Sequence, residues 1–253
     1  MPRALPDMTT RSSMKARYDS IYQDIRSNIE NGVYPYQSLL PSESVLTQAF
    51  DCSHNTIRRA LSILKEKGYV QPVHGKGVRV IWRPRERATF EVGGIESFRE
   101  TAERNHLSAQ TRVTDFGHIV ADERISLATG HPLGADLITV ERVRVLDGRA
   151  LILDRSYFLA QSVPGLTKEI AEGSIYDYLE GELGIVVATS KRTITVERAC
   201  EHDRELLDID GFDYLAVMTS QTFDSKGLMF EYTTSRHRPD TFCFHDTAVR
   251  SAV

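Results

Sequence analysis

The sequence has few cysteines and no long apolar run. Its three cysteines, Cys52, Cys200 and Cys243, are far apart in a chain of 253 residues, and such an odd, scattered set argues against a disulfide framework and against a cysteine-ligated zinc site. No stretch of about 18 consecutive apolar residues occurs, and the first residues lack the apolar core of a secretion signal. We therefore expect a cytoplasmic protein without a membrane segment.

The sequence also lacks the short motifs of common catalytic and cofactor sites. It contains no H-E-x-x-H zinc motif, no G-x-x-x-x-G-K-[ST] phosphate loop and no dinucleotide fingerprint. No nucleophile, base and orienting residue can be assigned to one site. We expect no catalytic residues, no metal ion and no cofactor.

The net charge of −4 is unevenly distributed along the chain. Residues 1–87 hold 14 Lys and Arg against 8 Asp and Glu, whereas the remainder holds 17 against 27. A basic part favours contact with a polyanion and an acidic part disfavours it. Length and charge together predict two domains with different partners.

Three helices are predicted in the basic part. Apolar residues recur at helical spacing from Met14 until Gly32, after a polar leader at residues 1–13 that we expect to be frayed. Ser42 and Ser53 stand where each can cap the following helix. The positions predicted to face the core are Val45, Leu46, Ala49 and Phe50 in the second helix and Ile57, Ala60, Leu61 and Leu64 in the third.

A hairpin is predicted after the third helix, since two β-prone runs at residues 69–73 and 78–81 enclose a small cationic tip. Helices and hairpin in this order predict a winged helix-turn-helix at residues 14–81. In that fold the third helix fits the major groove of DNA, about 12 Å wide, and the wing approaches the phosphates or the minor groove. The residues left to face DNA are Asn55, Thr56, Arg58 and Arg59 on the helix and His74, Gly75, Lys76 and Gly77 at the tip.

These segments resemble the DNA-binding signature of the GntR family of bacterial transcription regulators, through Leu40-Pro41-Ser42-Glu43, residues 53–61 and the glycine-containing wing. The resemblance implies a sequence-specific regulator that binds double-stranded operator DNA. The DNA contacts that it implies are Ser42, Ser53, His54, Asn55, Thr56, Arg58, Arg59, His74, Gly75, Lys76 and Gly77. His54 departs from the arginine of many members, so its contact is expected to be weaker or to require a protonated imidazole.

A charged, proline-interrupted segment at residues 82–94 is predicted to link the winged helix to a second domain at residues 95–253. There, β-prone runs at 137–146 and 150–159 flank Asp147-Gly148, the strongest short hairpin signal. The other predicted elements are helices at 175–183 and 203–209 and strands at 185–196, 214–223 and 228–237. This order indicates an α+β domain built on a mostly antiparallel sheet.

One group of residues in the second domain has the chemistry of an anion site. Arg142 and Arg144 lie two apart on a predicted strand and therefore share one face. Ser174 offers a hydroxyl and unpaired N–H groups at a predicted helix start, with Tyr176 nearby. Together these groups can hold a phosphate or a carboxylate if the fold brings them together. Two such arginines are also common on a solvated or paired sheet face.

Further segments resemble the effector domain of the HutC branch of the GntR family, the UTRA domain, which is similar in fold to chorismate lyase. The segments are residues 141–144, 154–157, 174–176, 231–232 and 236–240. The effector-binding residues that the resemblance implies are Ser97, Arg142, Arg144, Asp154, Ser174, Tyr176, Glu231 and His237. Asp154 replaces the glutamate, and His237 the tyrosine, of relatives that bind amino-sugar phosphates, which leaves the exact sugar open.

Within that branch, residues 18–32, 69–80 and 94–100 resemble trehalose operon repressors, which implies trehalose 6-phosphate as the effector. The resemblance also implies a homodimer on a pseudo-palindromic operator. Another sugar phosphate or a small carboxylate is the alternative effector. A lyase-like enzyme with an accessory DNA-binding module is the remote alternative.

Overall fold

The computed structural model describes residues 8–83, 90–92, 95–104 and 107–244. The chain divides into two compact units, with the boundary between residues 87 and 88. Within the predicted linker at 82–94, residues 90–92 form a strand, and most of the others lie outside the described residues. In the described part of the chain, no helix combines the length and the apolar character needed to cross a membrane.

The N-terminal unit consists of three helices and a hairpin. Its elements are α1 (Met8–Glu30), α2 (Glu43–Ala49), α3 (His54–Glu66), β1 (Val70–Val73) and β2 (Gly77–Val80). Helix α1 begins before the expected start at Met14, because neither Gly nor Pro occurs between Pro6 and Gly32 to interrupt it. Residues 8–13, expected to be frayed, are therefore helical, and residues 1–7 of the predicted leader lie outside the described residues.

One apolar core joins these elements. Its buried residues include Ile21, Ile25 and Ile29 of α1, Leu46 of α2, Ile57, Ala60, Leu61 and Leu64 of α3, and Val70 and Val80 of the hairpin. Burial of one such Ile or Leu side chain contributes about 1.5–3 kcal/mol. The prediction that Val45 and Ala49 face the core is wrong, since Val45 is 52% exposed and Ala49 is exposed as well. Helix α2 is short, and Leu46 is its one buried residue among those described.

The C-terminal unit is built on a six-stranded sheet. Its elements are β3 (Phe90–Val92), α4 (Phe98–Arg104), β4 (Ala109–Val120), α5 (Glu123–Thr129), β5 (Asp136–Leu146), β6 (Arg149–Leu159), α6 (Lys168–Glu172), α7 (Ile175–Asp177), β7 (Val187–Arg198), α8 (Glu201–Leu206), β8 (Tyr214–Asp224), β9 (Met229–His237) and β10 (Phe242–Phe244). The large sheet has the order β4-β5-β6-β9-β8-β7 and all its neighbouring strands are antiparallel. A separate pair, β3 with β10, is parallel. The predicted α+β architecture with a mostly antiparallel sheet is confirmed.

The hairpin between β5 and β6 forms as predicted. Asp147 and Gly148 have φ angles of 49° and 79°, which are the left-handed conformations that a two-residue turn between twisted strands requires. Two predicted helices differ in extent. The predicted helix at 175–183 is α7 continued by a π-helical turn at Tyr178–Glu182, and the one at 203–209 begins earlier because the Asp203 carboxylate caps the Cys200 N–H at 2.8 Å.

The two faces of the large sheet bury different cores. Val140 and Phe158 lie on one face and pack with Ile175 and Leu179, which belong to α7 and the turn after it. The opposite face buries a cluster around Val143, Leu153, Leu215 and Val217. Because side chains alternate between faces along a strand, residues that share a face with Val140 point toward the helical layer.

Candidate functional site

Helix α3 presents a polar face to solvent. Ser53 caps it, with its hydroxyl oxygen accepting from the Thr56 N–H at 3.3 Å and lying 2.8 Å from the Thr56 hydroxyl. His54, Asn55, Arg58 and Arg59 are exposed, while the core positions on the other side of the helix are buried. The helix therefore has the amphipathic form of a recognition helix.

Each of the two arginines of α3 contacts a side chain of a neighbouring helix: Arg58 contacts Glu43 of α2, and Arg59 contacts Tyr18 of α1. At the start of α2, Ser42 caps the Val45 N–H at 3.3 Å, and the Glu43 carboxylate accepts from Arg58 Nε at 2.9 Å. The Arg59 guanidinium lies 5.7 Å from the centre of the Tyr18 ring. Both arginines are thus exposed at the surface but have defined neighbours.

The tip of the wing is exposed. His74, Gly75, Lys76 and Gly77 are exposed, and the Lys76 N–H donates to the Val73 carbonyl at 3.0 Å. Gly75 and Gly77 have φ angles of 70° and 108°, and a Cβ atom on either would meet nothing within 4 Å. These glycines are required by the backbone conformation of the turn, and the free space around them suits close approach to a phosphate.

In the C-terminal unit, a cavity of about 500 Å³ lies on one face of the sheet. The lining includes all eight predicted effector residues, which are Ser97, Arg142, Arg144, Asp154, Ser174, Tyr176, Glu231 and His237. Strand register brings them together, since Arg142 pairs with Asp154 and Asp154 with Ser235, and alternate residues of each strand face the same way. The volume is in the range of small-molecule sites.

Arg144 is neutralised within the cavity wall. Its Nε and a terminal nitrogen donate to Asp154 and to the Thr111 hydroxyl, both at 2.7 Å. The Ser235 hydroxyl donates to the other Asp154 oxygen at 2.6 Å. Burial alone raises the pKa of Asp154, but the charges of Arg144 and Arg142 and the two hydrogen bonds outweigh burial, so the net pKa is lowered. Asp154 is therefore ionised and paired with Arg144.

Arg142 has no such bonded partner among the described residues, although the charges of Asp154 and Glu231 attract it. It is 6% exposed, and its Nε has no hydrogen-bond partner among the described residues. A terminal nitrogen reaches the Ser156 hydroxyl only at 3.5 Å. Burial, followed by the charge of Arg144, lowers the pKa of Arg142 to about 10, so the guanidinium is still charged at neutral pH. A buried cation without a bonded counter-ion is costly, and it makes this part of the cavity attractive to an anion.

Other residues of the cavity lining are suited to hydroxyls. The Glu231 carboxylate accepts from Tyr176 and from Thr233, both at 2.8 Å. Burial and the adjacent Glu231 charge raise the pKa of Tyr176 well above its usual value. Burial lowers the pKa of His237 to about 4, so its imidazole is neutral at pH 7.

Two short helices place the remaining predicted residues. The Ser97 hydroxyl accepts from the Glu100 N–H at 3.2 Å, and the Glu100 carboxylate accepts from the Ser97 N–H at 2.7 Å, which is a capping box at the start of α4. Phe98 follows, with its ring centre 4.8 Å from the Arg144 guanidinium carbon. The Ser174 hydroxyl accepts from the Asp177 N–H at 3.2 Å and retains its proton for donation.

Several cavity residues were missed by the sequence analysis. They are hydroxyl residues of strands β4, β7, β8 and β9, together with Arg192 of β7: Thr111, Ser190, Arg192, Ser220, Thr222, Thr233 and Ser235. Because side chains alternate between the two faces of a strand, the sequence of β8 and β9 divides their residues into two sets. Only the register of these strands with β6 shows which of the two sets faces the cavity. In the described residues no three potential metal ligands cluster.

The neutral state of His237 predicts a pH-dependent stability. Because its pKa is about 4 in the folded protein against about 6.5 unfolded, the unfolded chain binds more protons between these values. The contribution of neutral His237 is present above pH 6.5 and lost as the pH falls toward 4. In the parent protein, titration of His237 should lower the free energy of unfolding by about 2 kcal/mol between pH 7 and pH 5. In His237→Asn this part of the loss should be absent. Calorimetry of the full chain at both pH values measures this.

The control for that experiment is His118→Gln, which changes an exposed histidine of β4. Its pH dependence should match that of the parent. An unchanged pH dependence in His237→Asn would show that His237 is protonated equally in the folded and unfolded states.

A winged helix with an exposed recognition helix, joined to a sheet domain that encloses a charged pocket, defines a ligand-responsive DNA-binding protein. Residues 17–80 match the model of the bacterial regulatory proteins of the gntR family, and residues 104–243 match the UTRA domain. The chain belongs to the GntR family and carries a UTRA domain. It is a transcriptional regulator of this type, and the predicted family and fold are confirmed.

Similar proteins support the same conclusion. The chain is 41% identical over 234 residues to the HTH-type transcriptional regulator TreR of Bacillus subtilis. The aligned region covers 92% of this chain and 98% of TreR. The crystal structure of the possible regulator YydK from the same organism has a TM-score of 0.78 at 22% identity, covering 92% of this chain and 99% of YydK. The effector binding domain of the B. subtilis trehalose repressor TreR has a TM-score of 0.51 at 42% identity, covering 56% of this chain and 99% of that domain.

Proposed function

We propose that the protein is a repressor that binds operator DNA through its winged helix and releases it when trehalose 6-phosphate fills the cavity. The observation that carries the proposal is the buried, charged Arg142, which has no bonded counter-ion among the described residues and lies in a cavity that is also lined by hydroxyl-binding groups. The identity to TreR supports trehalose as the sugar. The relatives reported above are named as regulators, which supports a role without catalysis.

The phosphate is proposed to lie against Arg142. Arg144 is already bonded to Asp154, whereas Arg142 has no bonded carboxylate among the described residues. Ser174 and Ser97 are proposed to add hydroxyl or backbone N–H donors from the two short helices that line the cavity. Charge-assisted bonds of this kind are stronger than neutral ones.

The sugar is proposed to lie against the wall that contains Asp154, Glu231 and His237. Their carboxylates and neutral imidazole can accept hydrogen bonds from sugar hydroxyls. Because these groups are buried, an analogue that leaves them unpaired loses affinity by a large factor. The arrangement favours a phosphorylated sugar over inorganic phosphate.

The protein is proposed to act in the cytoplasm as a homodimer that forms through its C-terminal domain, residues 95–253. Two copies related by a two-fold axis would bind a pseudo-palindromic operator with half-sites in successive major grooves. The proposed contacts are Ser42, residues 53–56, Arg58, Arg59 and the wing tip. Effector binding is proposed to shift the dimer toward a spacing of recognition helices that does not fit the operator, with a coupling of about 1–3 kcal/mol.

The proposal is tested by measuring binding of a selected operator duplex with five additives in parallel. They are trehalose 6-phosphate, trehalose, glucose 6-phosphate, inorganic phosphate and urocanate. We expect trehalose 6-phosphate to raise the melting temperature and to weaken operator binding about 5- to 150-fold. Equal effects of unphosphorylated trehalose would contradict the role of Arg142. A response to urocanate alone would select a carboxylate sensor, which the same cation can serve.

A further inference from the structure

A carboxylate at the start of α2 lies against the exposed face of the recognition helix. Glu43 Oε2 accepts a hydrogen bond from Arg58 Nε at 2.9 Å, and His54 Nδ1 lies 3.8 Å from the same oxygen. The Glu43 and Arg58 side chains are 36% and 65% exposed. This carboxylate is therefore next to two of the residues proposed to contact DNA.

Such a contact contributes little to the stability of the fold. Exposed ion pairs typically contribute little to stability, and α2 already has Ser42 as its cap. A negative charge at a DNA-binding surface also opposes association with phosphates. Glu43 lies in the first turn of α2, where the helix dipole favours an acidic side chain, but that gain does not require the hydrogen bond to Arg58, whose own effect is to orient the guanidinium.

The hydrogen bond through Nε restricts the guanidinium while leaving its terminal N–H groups available. A guanidinium has five donors in a rigid planar fork, and the terminal pair can bond to O6 and N7 of a guanine in the major groove. An arginine that is already oriented loses less side-chain freedom on binding than a mobile one. The hydrogen bond to Glu43 thus limits the Arg58 guanidinium to orientations from which its terminal N–H groups can reach the edge of a base.

We infer that Glu43 is a specificity-determining positioning residue, which holds Arg58 in the orientation that reads a base pair of the operator. The inference rests on the proposed function, since it requires that α3 enters the major groove. It assigns to Glu43 an effect on discrimination between sequences that is separate from its effect on overall affinity.

The experiment uses the full-length protein and a duplex selected from a random-sequence library by the parent protein, together with its single base-pair substitutions. Glu43→Gln removes the charge and keeps the side-chain length. We expect its affinity for scrambled duplex to rise, because one repulsive charge is lost. We also expect its discrimination at one base pair of each half-site to fall about tenfold.

Two variants separate charge from orientation. Asp24→Asn removes an exposed carboxylate of α1, and it should raise affinity for all duplexes without changing discrimination. Glu43→Asp keeps the charge but shortens the reach to Arg58. It should lower discrimination without raising affinity for scrambled duplex.

A double-mutant cycle tests whether the effect passes through Arg58. Arg58→Lys removes the planar fork, so adding Glu43→Gln in that background should cause no further loss of discrimination. The inference is overturned if Glu43→Gln behaves like Asp24→Asn, or if its loss of discrimination persists in Arg58→Lys. If the parent protein selects no sequence at all, it is the proposed DNA-binding function that fails.

Discussion

Replacing Arg142 with methionine is expected to abolish the response to the effector while leaving the unliganded protein at least as stable as the parent. Truncating one partner of a buried charged contact costs about 2–5 kcal/mol of binding, so affinity for trehalose 6-phosphate should fall about 30-fold or more. Without ligand, a buried guanidinium lacking a bonded counter-ion is replaced by an apolar chain, which should raise the unfolding free energy by about 1 kcal/mol. Titration calorimetry and thermal unfolding measure the two effects.

The matched control is Arg112→Met, which changes an exposed arginine of β4. It should leave effector affinity unchanged. If Arg142→Met instead destabilises the unliganded protein by several kcal/mol, Arg142 is a structural residue, and the proposed phosphate site has to be abandoned.

Replacing Asp154 with alanine is expected to have the opposite effect on stability. The change leaves Arg144, which is 6% exposed, without its ion-pair partner and also removes the acceptor of the Ser235 hydroxyl. Breaking one side of a buried pair costs about 3–5 kcal/mol. Chemical denaturation of the full chain should show this loss in the C-terminal unit, and effector binding should be weakened as well.

Two further variants make that result specific. The combined change Arg144→Met and Asp154→Leu removes both charges and should recover most of the stability, though not the effector binding. Asp115→Ala, at an exposed position of β4, should cost less than about 1 kcal/mol. A small loss in Asp154→Ala would mean that Arg144 finds another partner or water.

The N-terminal unit was predictable because its signals are local. The core positions of α3 follow from helical spacing, and the capping serines precede the two helices they cap. The hairpin of β5 and β6 was likewise predictable from Asp147-Gly148. Val45 was predicted incorrectly because periodicity identifies an apolar residue and not whether a neighbouring element covers it.

Strand β4 and the β3–β10 pair were not predicted. Strand β4 is an edge strand in which only Val113 is buried, so its sequence has little alternation of apolar and polar residues. Strands β3 and β10 have three residues each and are far apart in the chain. Pairing of that kind depends on the completed fold and has no signature within a short window of sequence.

Residues of the effector site could be predicted from the sequence, but the ion pairs among them could not. Resemblance and strand spacing indicated eight of the residues that line the cavity. From the sequence, Arg142 and Arg144 were predicted to be equivalent phosphate ligands. The difference between them arises because the register places Asp154 and Thr111 within reach of Arg144, and that is a property of the sheet.

The parallel pairing of β3 with β10 has a consequence for the order in which the protein folds during synthesis. The winged helix is complete once β2 has left the ribosome, whereas β3 has to wait for β10, about 160 residues later. At about 5–20 residues per second, that interval is roughly 8 to 30 s. Each nascent chain therefore carries a finished DNA-binding unit well before it carries the sensor that, on the proposed function, controls it.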